Sequence, residues 1–146
     1  MAEKAKDIKI NLGLRSIEIR NISINKPADE FVDVTSLVFN IQIEQRLAPA
    51  DRLLVVAVTV GIVDPKSQAQ HATIGAAFGY VINNYEEIFY KDKEATSNVP
   101  APLAEIVNSL SVGTMRGILF SELKGTYLKN VILPIIDPIQ LKPGSK

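Results

Sequence analysis

The sequence has no cysteine and a single histidine, His71. Without thiols there is no disulfide, no thiolate nucleophile and no Cys-rich zinc site, and the composition fits a reducing compartment, so the cytoplasm is the expected location. Charge of one sign is lacking too. The 16 Lys and Arg are matched by 16 Asp and Glu, which leaves no general field for a phosphate backbone or an anionic lipid surface. Nucleic acid is therefore not expected as a partner. The longest strongly apolar run, Leu53 to Val63, has 11 residues, short of the roughly 20 that a membrane helix needs. No membrane insertion is expected, and the β-branched content of that run marks a buried strand. The first residues, MAEKAKDIKI, are charged and carry no apolar stretch of signal-peptide type.

What is present is the balance of one globular domain over residues 1–146, with 47% hydrophobic and 22% charged residues and no internal repeat or linker. A chain of this size can bury a little over two thirds of the surface its unfolded form exposes, enough for a core without staples. Ile, Val and Thr concentrate before residue 85, so the first half reads as sheet. Ile8, Ile10, Leu12 and Leu14 alternate at period two; Ile17 and Ile19 change the parity, and Ile22 and Ile24 change it back. Each slip implies a bulge in one long strand or a break between two short ones. Residues 25–29 close this region.

Leu37, Phe39, Ile41 and Ile43 alternate with more polar residues, as in a strand with one buried face, and a turn is expected over 46–51 around Pro49. Residues 53–63 are apolar on both parities, which marks a central strand with both faces covered. After a turn at 64–67, Ile74, Ala76, Phe78, Tyr80 and Ile82 form one row of the next strand, and Thr73, Gly75, Ala77, Gly79 and Val81 the other. Three strands joined by short turns make an antiparallel meander. The small row of Gly75, Ala77 and Gly79 suits a close approach by other backbone or by another subunit, or is merely a thin part of the strand. Residues 83–99 form a polar and aromatic connection, with an exposed loop from Lys91 to Glu94. Pro100 and Pro102 sit where helices begin. The stripe Leu103, Ile106, Val107 and Leu110 does not continue into Val112, Met115, Leu119 and Leu123. Either one helix changes partners or two meet near 108–113, with Asn108 and Ser111 as caps for the second. Gly125 is a candidate helix stop, and 128–133 reads as extended, with Pro134, Pro138 and Pro143 keeping the end irregular.

The chain offers little chemistry. There is no HExxH, GxSxG or phosphate-loop motif, and the glycines at 75 and 79 lie inside a strand rather than opening a helix. Neighbouring Glu86 and Glu87 point apart, so they make no paired carboxylate site. His71 at a strand edge reads as a satisfied or exposed side chain. Arg116, mid-helix in apolar company, reads as an ion pair or a subunit contact. No catalytic residue, cofactor or metal is expected. What stands out is aromatic: Phe78, Tyr80, Tyr85, Phe89 and Tyr90 fall within 13 residues and are five of the nine aromatics. Such a cluster is core, a subunit interface or an adaptable groove for apolar segments.

The order of elements resembles the SecB family of protein-export chaperones. Residues 17–27 (IEIRNISINKP) are similar to the family's first strand and 55–63 to its third. Residues 110–141 (LSVGTMRGILFSELKGTYLKNVILPIIDPIQL) are similar to its helix with an internal Arg, then Gly-Thr with an aromatic, then Leu-x-Pro. The likeness spans about residues 10–141. It implies an α+β fold, a four-stranded antiparallel sheet with a crossover loop and one or two helices packed on it. It also implies assembly into dimers or tetramers and the holding of unfolded polypeptide clients in an apolar groove, without nucleotide or catalysis. On that reading Phe78, Tyr80, Tyr85 and Phe89 bind polypeptide, and Gly75, Ala77, Gly79 and Arg116 form the oligomer interface.

There are departures. The acidic residues by which the family docks on the translocase motor fall near Asn21, Asn25 and Ile74 here, none of them charged, so that docking is not expected. Glu18, Asp29 and Glu44 are nearby but differ in parity or sit at strand ends. The sequence ends at Lys146 before the family's last helix and metal-binding tail. Beside the chaperone stands a non-enzymatic oligomeric adaptor that uses the same sheet and aromatics against a fixed folded partner. A third reading, a small enzyme or ligand-binding domain, needs converging polar groups that His71 and Arg116 do not provide.

Overall fold

The computed structural model of the chain describes residues 9–25, 32–91, 94–95 and 99–136. Alternating apolar residues build four long strands, β1 (Leu12–Ile24), β2 (Val38–Ala48), β3 (Leu53–Val63) and β4 (Gln70–Ile82). They form one antiparallel sheet in the order β1-β4-β3-β2, so β2, β3 and β4 are the meander and β1 pairs on the far side of β4. The chain then makes a short helix α1 (Tyr85–Phe89), a two-residue ladder of β5 (Tyr90–Lys91) with β6 (Glu94–Ala95), and the long helix α2 (Ala101–Glu122). The architecture is α+β with α2 packed over the two central strands, β3 and β4.

Register fixes which side chains meet the helix. Leu54 pairs with Tyr80, Val56 with Phe78, Val58 with Ala76 and Val60 with Ile74, and all eight are buried. Phe39, Ile41, Ile43 and Leu47 of β2 extend this row. On β1 the register shifts once between Leu14 and Ser16 and again between Ile19 and Asn21. β1 is therefore one strand with two bulges, each absorbing an arginine, Arg15 or Arg20. The bulges reset the parity so that Leu12, Leu14, Ile17, Ile19, Ile22 and Ile24 all stand opposite Ile82, Tyr80, Phe78, Ala76, Ile74 and Ala72 on the helix side.

Other expectations change. β2 runs on to Ala48 because Arg46 and Leu47 still pair with Val55 and Leu54, and the turn is the short 3-10 segment Pro49–Asp51 with Arg52 left-handed at φ 56°. The second face of β3 is only half covered, with Leu53, Val55, Ala57 and Thr59 partly exposed. α2 is a single helix. The gap in its apolar stripe is filled by Asn108 and Ser111, both at 0% exposure. They are not caps: Gln45 Nε2 donates to Asn108 Oδ1 (2.7 Å), and Ser111 Oγ bonds the Tyr80 hydroxyl (2.8 Å). Buried polar groups that satisfy a partner continue an apolar face that the sequence shows as interrupted. Gly125 follows the helix end with φ 79°. Beyond it, successive turns (Lys129 N to Thr126 O, 3.2 Å; Val131 N to Leu128 O, 2.9 Å) replace the first part of the expected extended stretch, as far as Val131. Residues 26–29, Asp92, Lys93, Pro138 and Pro143 lie outside the described residues.

The small row of β4 faces away from α2, and its space is used within the chain. A Cβ at Gly75 would run into the Asn21 side-chain oxygen, and one at Gly79 into the Ser16 hydroxyl, so two polar side chains of β1 lie across these glycines. Gly79→Ala is accordingly expected to cost about 1 kcal/mol through overpacking, and Ser16→Ala in the same chain to remove most of that cost. Urea unfolding of the two single variants and the double variant measures the coupling.

Candidate functional site

The four aromatics singled out as polypeptide-binding are inside the core. Phe78 and Tyr80 stand on the helix-side row of β4, and Tyr85 and Phe89 point inward from α1; none is more than 4% exposed. The physical reason is periodicity. Residues 78 and 80 share the parity of Ile74 and Ile82, while 85, 88 and 89 share one face of a helical turn. Tyr85 packs on Phe89 with ring centroids 4.5 Å apart. Burial pushes the Tyr80 hydroxyl above its ordinary range, and the bond to Ser111 only partly offsets this. An ion pair from Arg52 to Glu86 (2.6 Å), half exposed, ties α1 to the β2–β3 turn.

Arg116 makes no ion pair among the described residues. Its Nε donates to the Leu133 carbonyl (2.7 Å) and its Nη2 to the Pro134 carbonyl (2.8 Å), pinning the segment after α2 alongside the helix. At the other end of that segment, Tyr127 donates its hydroxyl to the Asn25 carbonyl (2.7 Å). The Tyr127 hydroxyl oxygen lies 2.8 Å from His71 Nδ1 and, with its own proton given to the Asn25 carbonyl, accepts from that nitrogen, so His71 is a satisfied, buried side chain. Gly75, Ala77 and Gly79 line the opposite sheet face, Gly75 under Asn21, Gly79 under Ser16 and Ala77 opposite Glu18.

The surface that stands open is one the aromatic cluster had obscured. α2 sits over β3 and β4, leaving the helix-side row of β1 beside it. Leu14, Ile17, Ile19 and Ile22 are 42–49% exposed along a strand that pairs, among the described residues, only with β4. Four large aliphatics in line on an edge strand form a continuous apolar row rather than scattered surface residues. The signal was legible in the two parity changes of β1, because bulges that rescue parity keep every apolar residue on one face. The opposite face of the sheet is mixed, with Asn40, Gln42, Glu44 and Arg46 of β2 beside the partly exposed Leu53 and Val55 and the exposed Val38. It carries a depression of about 150 Å³ lined by Arg20, Asn21, Gln42, Glu44, Thr59 and Gly75 among others. Of the positions aligned with motor-docking acids, Asn21 is on this face, Asn25 donates its amide to the Gln70 carbonyl (2.8 Å), and Ile74 is buried beneath α2. Among the described residues no group of three or more acidic or histidine side chains converges as a metal site, and no helix is long and apolar enough to cross a membrane.

No family model and no curated protein matches the sequence. Among solved structures, the fold is similar to that of the Mycobacterium tuberculosis Rv1957 SecB-like chaperone, in complex with a ChAD peptide from the Rv1956 HigA1 antitoxin. The TM-score is 0.56 over 86% of this chain and 90% of that one, at 12% identity. The chain therefore has a SecB-like fold.

Two outcomes follow from the burial pattern. Phe89→Ala is expected to cost about 3–5 kcal/mol of stability, as a core deletion does. Because the folded pKa of Tyr80 lies above its unfolded value of 10.0, the unfolded state loses its proton first. Stability should thus be intact below pH 10 and fall as the pH rises from there towards the folded pKa. Denaturant midpoints measured from pH 9 upward should show a shallower fall in Tyr80→Phe.

Proposed function

We propose that this protein is a holdase-type chaperone that binds extended, non-native polypeptide along the helix side of β1. It works without nucleotide or catalysis, in the cytoplasm, as a homo-oligomer. The observation that carries this reading is the exposed row Leu14, Ile17, Ile19 and Ile22 on an edge strand. An extended chain can add its backbone to such an edge and lay alternate side chains against the row. Covering the exposed half of each aliphatic contributes on the order of 1 kcal/mol apiece, which suits weak, sequence-tolerant holding. Phe78 and Tyr80, paired with Ile17 and Leu14, border that row on its buried side. The likeness to a chaperone fold solved with a bound peptide supports the same reading. Docking on a translocase motor is not part of it, since Glu18 and Glu44 are interspersed with Arg20 and Arg46 instead of forming an acidic face.

The test is binding of a fluorescently labelled, permanently unfolded polypeptide, read by anisotropy. Ile17→Thr with Ile19→Thr keeps the β-branched shape that strands favour and should weaken binding at least tenfold with little change in melting temperature. Glu44→Ala, on the other face, should leave it unchanged. Equal affinity of the double variant would sink the proposal. Binding of a folded partner with no affinity for unfolded chains would favour the adaptor.

A further inference from the structure

The backbone of β1 adds a constraint that its side-chain row does not show. At one end of the β1–β4 pairing Asn83 N donates to the Asn11 carbonyl (2.8 Å), and at the other Asn25 N donates to the His71 carbonyl (2.9 Å). Ile82 N donates on the other side of β4, to the Arg52 carbonyl just before β3 (2.9 Å). In an antiparallel ladder each residue directs its N–H and C=O to one neighbouring strand, and the next residue directs its own to the other. The odd-numbered residues of β4 therefore bond β1, and the even-numbered ones face β3. Ile82, Tyr80, Phe78, Ala76, Ile74 and Ala72 are all even. Their partners Leu12, Leu14, Ile17, Ile19, Ile22 and Ile24 thus turn their N–H and C=O groups away from β4, to the open edge of the sheet. The bulges bring this about: without them Ile17 and Ile19 would bond β4 and point to the opposite face. Among the described residues, those with uncovered apolar side chains are the ones that offer free backbone groups.

We infer that β1 takes its client as an antiparallel strand and selects segments in which apolar and polar residues alternate, over segments equally apolar but differently ordered. In an antiparallel pair, a client residue that exchanges both bonds with Leu14, Ile17, Ile19 or Ile22 sets its side chain on the same, helix side. The client residues between these point to the other face, alongside Ser16, Glu18, Asn21 and Ser23, which are all exposed. Apolar side chains there stay in water, so a block of consecutive apolar residues brings only half of them to the row. A helical spacing falls out of step with it altogether. In a parallel strand the bonds to β1 would come from residues whose side chains lie on the wrong face. β4 shows the fit from its own side, where 11 consecutive residues from Ala72 to Ile82 match the row without a break, so a client segment of that length spans it. Client charge matters little, since Glu18 lies 3.9 Å from Arg20 and offers no field of one sign.

This rests on the holdase reading and narrows its client class. Two labelled peptides of identical composition, valine with serine and lysine, are compared by anisotropy at concentrations where both are monomeric. One alternates valine with polar residues; the other gathers its valines in a block. The alternating peptide should bind at least tenfold tighter, and the Ile17→Thr, Ile19→Thr chain should bind the two alike. N-methylation of the valines, whose N–H groups face β1 in the antiparallel pair, should remove the advantage, and N-methylation of the residues between them should leave it. Equal affinity of the two orders for the native chain, or a greater loss on methylating the polar positions, would overturn the inference while unfolded polypeptide is still held. Loss of binding to the unfolded polypeptide as well would overturn the holdase reading with it.

Discussion

A helix is about 10–12 Å across, whereas four strands set about 4.8 Å apart span about 14 Å between the outermost axes, so one helix cannot roof this sheet. The rest of the structure follows from that mismatch. α2 lies over β3 and β4, whose helix-side rows are fully buried. The corresponding row of β2 is half-buried, with Phe39, Ile41, Ile43 and Leu47 packed against the core. The corresponding row of β1 is left uncovered at its centre. An open apolar row is a liability in a protein with no use for it, and its place on an edge strand gives it access to any extended chain.

What holds the layers in register is a small set of neutral polar bonds. Tyr80 to Ser111 and Gln45 to Asn108 join sheet to helix, and Tyr127 joins the end of β1 and the start of β4 to the segment after the helix. Arg116 clamps the same segment through backbone carbonyls. The described ion pairs, Arg20 with Glu18 and Arg52 with Glu86, are both half exposed or more and add little to stability. Apolar burial carries the fold, and the buried hydrogen bonds select one placement of the helix among several that a purely apolar interface would allow.

The limits of β3 and the meander were legible because they rest on period and turn chemistry alone, whereas the four-stranded α+β arrangement was an expectation carried by the resemblance to the SecB family. The candidate site was less so. Clustering of Phe78, Tyr80, Tyr85 and Phe89 in sequence suggested a surface, yet their parity with Ile74 and Ile82 had already assigned two of them to the core row. Asn108 and Ser111 disguised one long helix as two because a satisfied polar pair is invisible without its partner strand. Gly75 and Gly79 pointed to an approach by backbone or by another subunit, whereas the pairing with β1 brings the side chains of Asn21 and Ser16 over them. Parity changes at Arg15 and Arg20 held the most information: they kept six apolar residues of β1 on one face, where a strict alternation would have turned some away.

The central claim is that a client lies along β1 on its helix side, and a contact map across the bulges tests it most directly. Single cysteines placed at positions 14 to 22 of this otherwise cysteine-free chain can carry an environment-sensitive fluorophore. On adding unfolded polypeptide, labels at 14, 17, 19 and 22 should respond and those at 16, 18 and 21 should not, a spacing that only the two bulges produce. A response at every second residue from 14 to 22, or one confined to the opposite face at 16, 18 and 21, would contradict the account.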